Sequence, residues 1–299
     1  MNAFRRVLEA EGTSSSVASN AQPSIRVRLV ERPPFSAPVD TPTLEDDERG
    51  RVRLRDGKVE AIVELDTLNV ELRGVSPDDF ASPSPASRAF GWALCLLLRE
   101  LDVVSLHAAG IVLDHERAAL IVGDSGAGKT TTALALMAAG CAPLSDDQIF
   151  VRQRAPRWEL LSAPEAFRVT PHTLAAVSHL GTVGPLIPEL GKYEFSPRRT
   201  HLPFRDHFAG TVTLLFPSQH GAETTVSSMT TADALGELMV ASHVIALGGT
   251  TRARRHAAIL GHLAESASPM RVDLGRELLE RPEVGGRALL RLLDRAALR

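Results

Sequence analysis

Two of the 299 residues are cysteine, Cys95 and Cys141. That scarcity excludes a disulfide framework, and neither thiol has metal-ligand spacing. Both lie among apolar or small residues and read as buried thiols in a reducing compartment. Long hydrophobic runs are also missing. The most apolar stretch, FGWALCLLL, is too short to cross a bilayer and runs into Arg99 and Glu100. The opening residues lack the continuous apolar stretch of a secretory signal. Excess charge of one sign is missing too: the net charge is −3 and the pI near 6.4, so composition supports neither a nucleic-acid scaffold nor a membrane-binding surface. His172 and His179 show no zinc spacing, and no internal repeat is found. The expectation is a cytoplasmic protein with no nucleic-acid or membrane partner. A homo-oligomer is left open.

Residues 1–24, rich in Ser, Ala and Asn from residue 11 onward, read as a flexible lead. Residues 25–85 read as a small, mostly antiparallel β cap. Its strands are expected at 25–30, 52–55, 59–65 and 69–73, with Asp56-Gly57 at a tight turn. Residues 86–299 read as a larger core. Ser84 or Ser87 starts a helix through Leu98, with Trp92 in its apolar interior. Strands are expected at 103–113, 117–122, 148–152 and 211–216, and helices at 129–139, 231–247, 250–264 and 283–298. Gly140 closes the first of these helices. The stretch from 153 to 203 reads as a proline-punctuated connection. Strands mixed with helices make the fold class α/β.

Gly123-Asp124-Ser125-Gly126-Ala127-Gly128-Lys129-Thr130 matches G-x-x-x-x-G-K-[ST]. The chemistry of phosphate requires these residue types. Glycines let successive amides approach the oxygens, and the start of the next helix favours the anion. Lys129 is expected to reach the β- and γ-phosphates of ATP, and the Thr130 hydroxyl to ligate Mg²⁺. An apolar strand before and a helix after, opening at Lys129-Thr130-Thr131, supply the context of a P-loop. Asp146 and Asp147 follow soon after. Adjacent carboxylates at a strand edge can divide two tasks, holding Mg²⁺ and accepting a proton from an attacking hydroxyl. A solvated turn is the other reading of the pair.

The run from Leu106 to Val151 resembles the catalytic core of the HPr kinase/phosphorylase family. The match is carried by His107 before the P-loop, by GDSGAGKT, and by SDD ahead of a strand. The resemblance is close over about 105–151, weaker to about 270, and absent from the first hundred residues. It implies a P-loop core with a mixed sheet, similar to the nucleotide-binding domain of phosphoenolpyruvate carboxykinase. It also implies an ATP-dependent serine kinase using Mg²⁺. Asp146 would share metal binding with Thr130, Asp147 would be the base, and His107 would lie near the phosphates. Two departures shift the acceptor. Thr131 stands where the family usually carries an acidic residue, and the family's Leu-Glu-x-Arg-Gly-like signature is missing. The chain looks more like the HPr-kinase-related group that includes lasso-peptide serine kinases, and the acceptor is expected to be a peptide or small protein. Lys192, Arg198 and Arg199 are the expected acceptor-facing cations. Residues 251–256 read as a solvated helical face. The alternatives are a nucleotide-binding regulatory or ATPase module, and a kinase of a small molecule such as free serine.

Overall fold

Alternation of apolar and polar residues builds the first sheet. The computed structural model describes residues 24–31, 39–47, 49–80, 84–162, 167–188, 190–197, 205–218 and 221–297. Apart from Ser24, the expected lead lies outside the described residues. The strands β1 (Arg26–Val30), β2 (Val39–Asp46), β3 (Arg51–Gly57), β4 (Val59–Glu64) and β5 (Asn69–Arg73) form a sheet of order β1-β5-β4-β3-β2. In β3 every second residue is buried, so Val52 and Leu54 face inward. Asp56-Gly57 makes the expected hairpin, with Gly57 at a positive φ of 57°. β1 pairs parallel with β5, so the sheet is not purely antiparallel.

Helix α1 (Pro85–Arg99) follows. Ser84 caps it, accepting from the Ser87 amide at 3.0 Å while the Ser87 hydroxyl accepts from the Ser84 amide at 3.0 Å. Arg88 grips Asp56 at 2.7 and 3.0 Å, fixing the helix over the hairpin. Trp92 is not in the core: it is 39% exposed and stacks on His243. It falls at the edge of the buried face of the helix, three residues after the buried Ala89 and four before the buried Leu96.

The described residues divide into two units. One comprises 24–105 with 243–259, the other 106–242 with 260–297. The boundary read from sequence at 85/86 thus falls inside the first unit, at the first turn of the helix held to the sheet by Arg88. The same unit contains Arg252, which pairs with Glu100 and Asp66, and His256, which is fully buried. The face read as solvated at 251–256 is therefore largely engaged. Only one side of that helix, with Arg254 and Arg255, stays exposed.

Next in the chain come β6 (Val103–Leu106), β7 (Ala108–Val112), β8 (Arg117–Val122) and helix α2 (Lys129–Ala138). The strands β9 (Ala142–Ser145), β10 (Ile149–Arg154), β11 (Arg157–Ser162) and β12 (Phe167–Val169) lead to α3 (Pro171–Val177). They are followed by β13 (Gly181–Ile187), β14 (Lys192–Pro197), β15 (His207–Ser218) and β16 (Thr225–Ser228). The chain then forms α4 (Thr231–Ala241), α5 (Thr250–Ser266), β17 (Ser268–Asp273), α6 (Glu277–Glu280) and α7 (Pro282–Ala297). The main sheet of the second unit runs β10-β11-β15-β8-β7-β9, with β17 on β15 and β16 on β17. β15 pairs parallel with β8 and β17 and antiparallel with β11, so this is a mixed sheet in an α/β fold.

The connection expected at 153–203 is ordered in its described parts. It carries β11, α3 and a three-stranded sheet of order β12-β14-β13. Phe167 and Phe195 from that small sheet are fully buried in one core with Ile121, Leu134 and Leu289. Gly286 of α7 meets α2 so closely that a Cβ there would overlap the Ala135 carbonyl. This contact seats α2, and with it the loop ahead of it.

Candidate functional site

The loop between β8 and α2 is shaped by two glycines with positive φ, Gly126 at 86° and Gly128 at 108°. Gly128 is the N-cap of α2, and a Cβ on it would overlap the Leu274 side chain. By helix geometry the first amides of α2 have no intrahelical acceptor, so they point out of the helix start as donors. Lys129 bends back across the loop. Its Nζ donates to the Gly123 carbonyl at 2.7 Å and to the Asp124 carbonyl at 3.1 Å. Lys129 as a whole is 7% exposed, and burial pushes its pKa down against the opposing pull of Asp147 and Asp146.

His107 links this lysine to the aspartates. The strand expected at 103–113 breaks at His107, whose amide bonds to the Ala241 carbonyl at 2.9 Å instead of continuing the ladder. Its Nε2 is 3.1 Å from Lys129 Nζ, and its Nδ1 lies 3.0 Å from the Asp147 carbonyl and 3.1 Å from Asp147 Oδ1. An ammonium only donates, so Nε2 is the acceptor and the ring proton sits on Nδ1, facing Asp147.

The two aspartates have opposite environments. Asp147 is half-buried. The hydrogen bond from His107 outweighs burial and holds its carboxyl below the usual range, with Arg168 3.2 Å from Oδ2 adding to the effect. Asp146 is buried, and burial pushes its pKa up to about 6 although the Arg168 amide and Thr130 pull the other way. Asp146 Oδ2 accepts from the Arg168 amide at 2.9 Å, while Oδ1 is buried with no hydrogen bond. Asp146 and Thr130 line the same cleft, and a buried carboxylate oxygen without a hydrogen bond beside it fits a hard cation. Among the described residues no group of three or more His, Cys, Asp or Glu could hold a metal by itself. Any Mg²⁺ here would need further oxygens.

These side chains line one cleft of about 700 Å³. The loop and α2 contribute Ser125, Gly126, Gly128, Lys129, Thr130 and Thr131. His107, Asp146, Asp147 and Lys192 join them. Gly123, Asp124 and Ala127 are not at the cleft surface. The first two hold Lys129 through their carbonyls, and the Ala127 amide bonds to the Asp124 carbonyl to close the turn. Lys192 is not on an irregular loop: it opens β14. Arg198 and Arg199 lie outside the described residues. Sequence reasoning missed Arg168, His172 and Arg276, which also line the cleft.

No protein-family model matches the chain, and no curated protein matches it. Among solved structures, the Hpr(Ser) kinase/phosphatase from Coxiella burnetii aligns over 65% of this chain and 96% of its own, at 11% identity and a TM-score of 0.32. A likeness at that score carries no weight for the fold or function of this chain. No helix among the described residues is long and apolar enough to cross a membrane.

Proposed function

We propose that the cleft binds ATP with Mg²⁺ and transfers the γ-phosphoryl group to a serine hydroxyl of a peptide or small protein. One observation carries the reading: a glycine-shaped helix start, a buried lysine and two aspartates in unlike environments share one cleft. A loop that only held phosphate would need no second, ionised carboxylate beside it. The resemblance of residues 106–151 to the HPr kinase/phosphorylase core points the same way, and a cytoplasmic location goes with it.

In this reading the α2 amides and Lys129 hold the phosphate chain. Thr130 and Asp146 Oδ1 hold Mg²⁺, which when bound neutralises charge on the phosphate oxygens. Asp147 orients the acceptor hydroxyl and takes its proton. Its depressed pKa makes it a weak base, which suits a loose transition state in which positioning matters more than early deprotonation. His107 keeps Asp147 and Lys129 in fixed relation through its two ring nitrogens. Lys192, on the small sheet, faces the acceptor and can pair with a peptide's terminal carboxylate.

Mass spectrometry after incubation with ATP, Mg²⁺ and a panel of serine-ended peptides, HPr and free serine tests this proposal. Phosphorylated peptide is the expected product, and Lys192→Ala should raise the KM for peptide more than for ATP. Labelling of HPr or free serine alone would overturn the acceptor assignment. Phosphate release without any labelled acceptor would make the protein an ATPase module.

A further inference from the structure

We infer that Arg168 is the positioning residue that sets the two aspartates apart, an inference that rests on the phosphotransfer reading above. Arg168 sits in the middle of β12, a strand of three residues. It touches both carboxylates with different parts of itself. Its main-chain amide donates to Asp146 Oδ2 at 2.9 Å, and its guanidinium Nη1 reaches Asp147 Oδ2 at 3.2 Å. The amide fixes one oxygen of Asp146 and leaves the other, Oδ1, buried without a hydrogen bond. The guanidinium braces Asp147 from the side opposite His107, which holds Oδ1. Asp147 is thus clamped between two donors, one per oxygen, and its plane is defined.

The strand is itself well anchored. Phe167 and Val169 on either side of Arg168 are fully buried, and β12 pairs with β14, where Arg168 faces Glu194 in register. Alternation puts these neighbours into the core and directs Arg168 to the opposite face, where it lines the cleft. The small sheet thereby brings two cations to the cleft, Arg168 from β12 and Lys192 from β14. Of these two cations, Arg168 hydrogen-bonds both aspartates.

The division between main chain and side chain makes the role separable. Arg168→Ala keeps the amide and its bond to Asp146 but removes the bond to Asp147. Loss of such an outer partner costs about 10- to 100-fold in activity. The expected result is a fall in kcat of that size with the KM for ATP and the Mg²⁺ requirement unchanged, and partial recovery in Arg168→Lys. Fold integrity is followed by the melting curve. In an Asp147→Asn background, measured by single turnover, Arg168→Ala should have less than about a twofold further effect, because the carboxylate whose orientation and charge it braces is already gone. If the two substitutions multiply, Arg168 acts elsewhere, and the inference fails. Wild-type kcat in Arg168→Ala also overturns it. A wild-type protein that labels no acceptor would instead overturn the phosphotransfer reading, and this role with it.

Discussion

Asp147 Oδ1 lies 3.1 Å from His107 Nδ1, while Oδ2 of its neighbour Asp146 accepts from the Arg168 main-chain amide at 2.9 Å. Two adjacent carboxylates are thereby split into an ionised, braced group and a buried group whose pKa rises to about 6.

This split predicts opposite effects on stability and parallel effects on turnover. Asp147→Asn breaks the contacts to His107 and Arg168, so the melting temperature of nucleotide-free protein should fall. Asp146→Asn removes a charge that burial disfavours, so the melting temperature should hold or rise. Turnover should drop by about 10²–10⁴-fold in both. Raised Mg²⁺ should partly restore Asp146→Asn and leave Asp147→Asn unchanged. Steady-state kinetics across a Mg²⁺ series, with thermal melts, checks all four outcomes.

The two loop glycines should differ. An alanine at Gly126 would pay only for a positive φ, since its Cβ meets open space. At Gly128 the same strain, about 1–2 kcal/mol, is joined by overlap with Leu274. Gly128→Ala should therefore weaken nucleotide binding and lower the melting temperature more than Gly126→Ala. Titration with a fluorescent ATP analogue ranks them, and equal losses would contradict the packing argument.

His256 makes the first unit sensitive to acid. Burial first, and the nearby Arg99 second, push its pKa from 6.5 to about 4. The folded value lies below the unfolded one, so the unfolded chain takes up the proton first as pH falls. The neutral ring's contribution is complete above pH 6.5 and declines from there down to about pH 4. The total loss is of order 3 kcal/mol. His256→Leu should lose this slope. Denaturant unfolding at several pH values between 4 and 7 should show the variant gaining on wild type as pH falls, and parallel curves would contradict the assignment.

Much of this site is legible in the sequence because its chemistry is local. The Gly123–Thr130 run occupies consecutive residues, and in the proposed reading its glycines, lysine and threonine are the types that phosphate geometry asks for. Asp146 and Asp147 are adjacent in the chain, and β3 and β5 follow from alternation. Arg168 was not legible. It lies 21 residues beyond Asp147 on a three-residue strand, too short for any periodic signal. The small sheet around it hides for a similar reason: β13 carries Gly181, Gly184 and Pro185, which read as loop punctuation. Helix α3, seven residues long, is too brief to show an amphipathic repeat. His107 stands out in the sequence, but the break in its strand comes with a bond from its amide to Ala241, which no local pattern encodes.

The most direct test of the central claim follows the γ-phosphate of radiolabelled ATP in the presence of Mg²⁺ and a serine-containing peptide, for wild type and Lys129→Ala. Lys129 is held across the loop, bonded to the Gly123 and Asp124 carbonyls and facing His107. Its loss should reduce transfer by at least about 10²-fold. The account predicts label on the serine of the peptide with wild type and almost none with Lys129→Ala. Equal transfer by both proteins, or label found only in free phosphate, would contradict it.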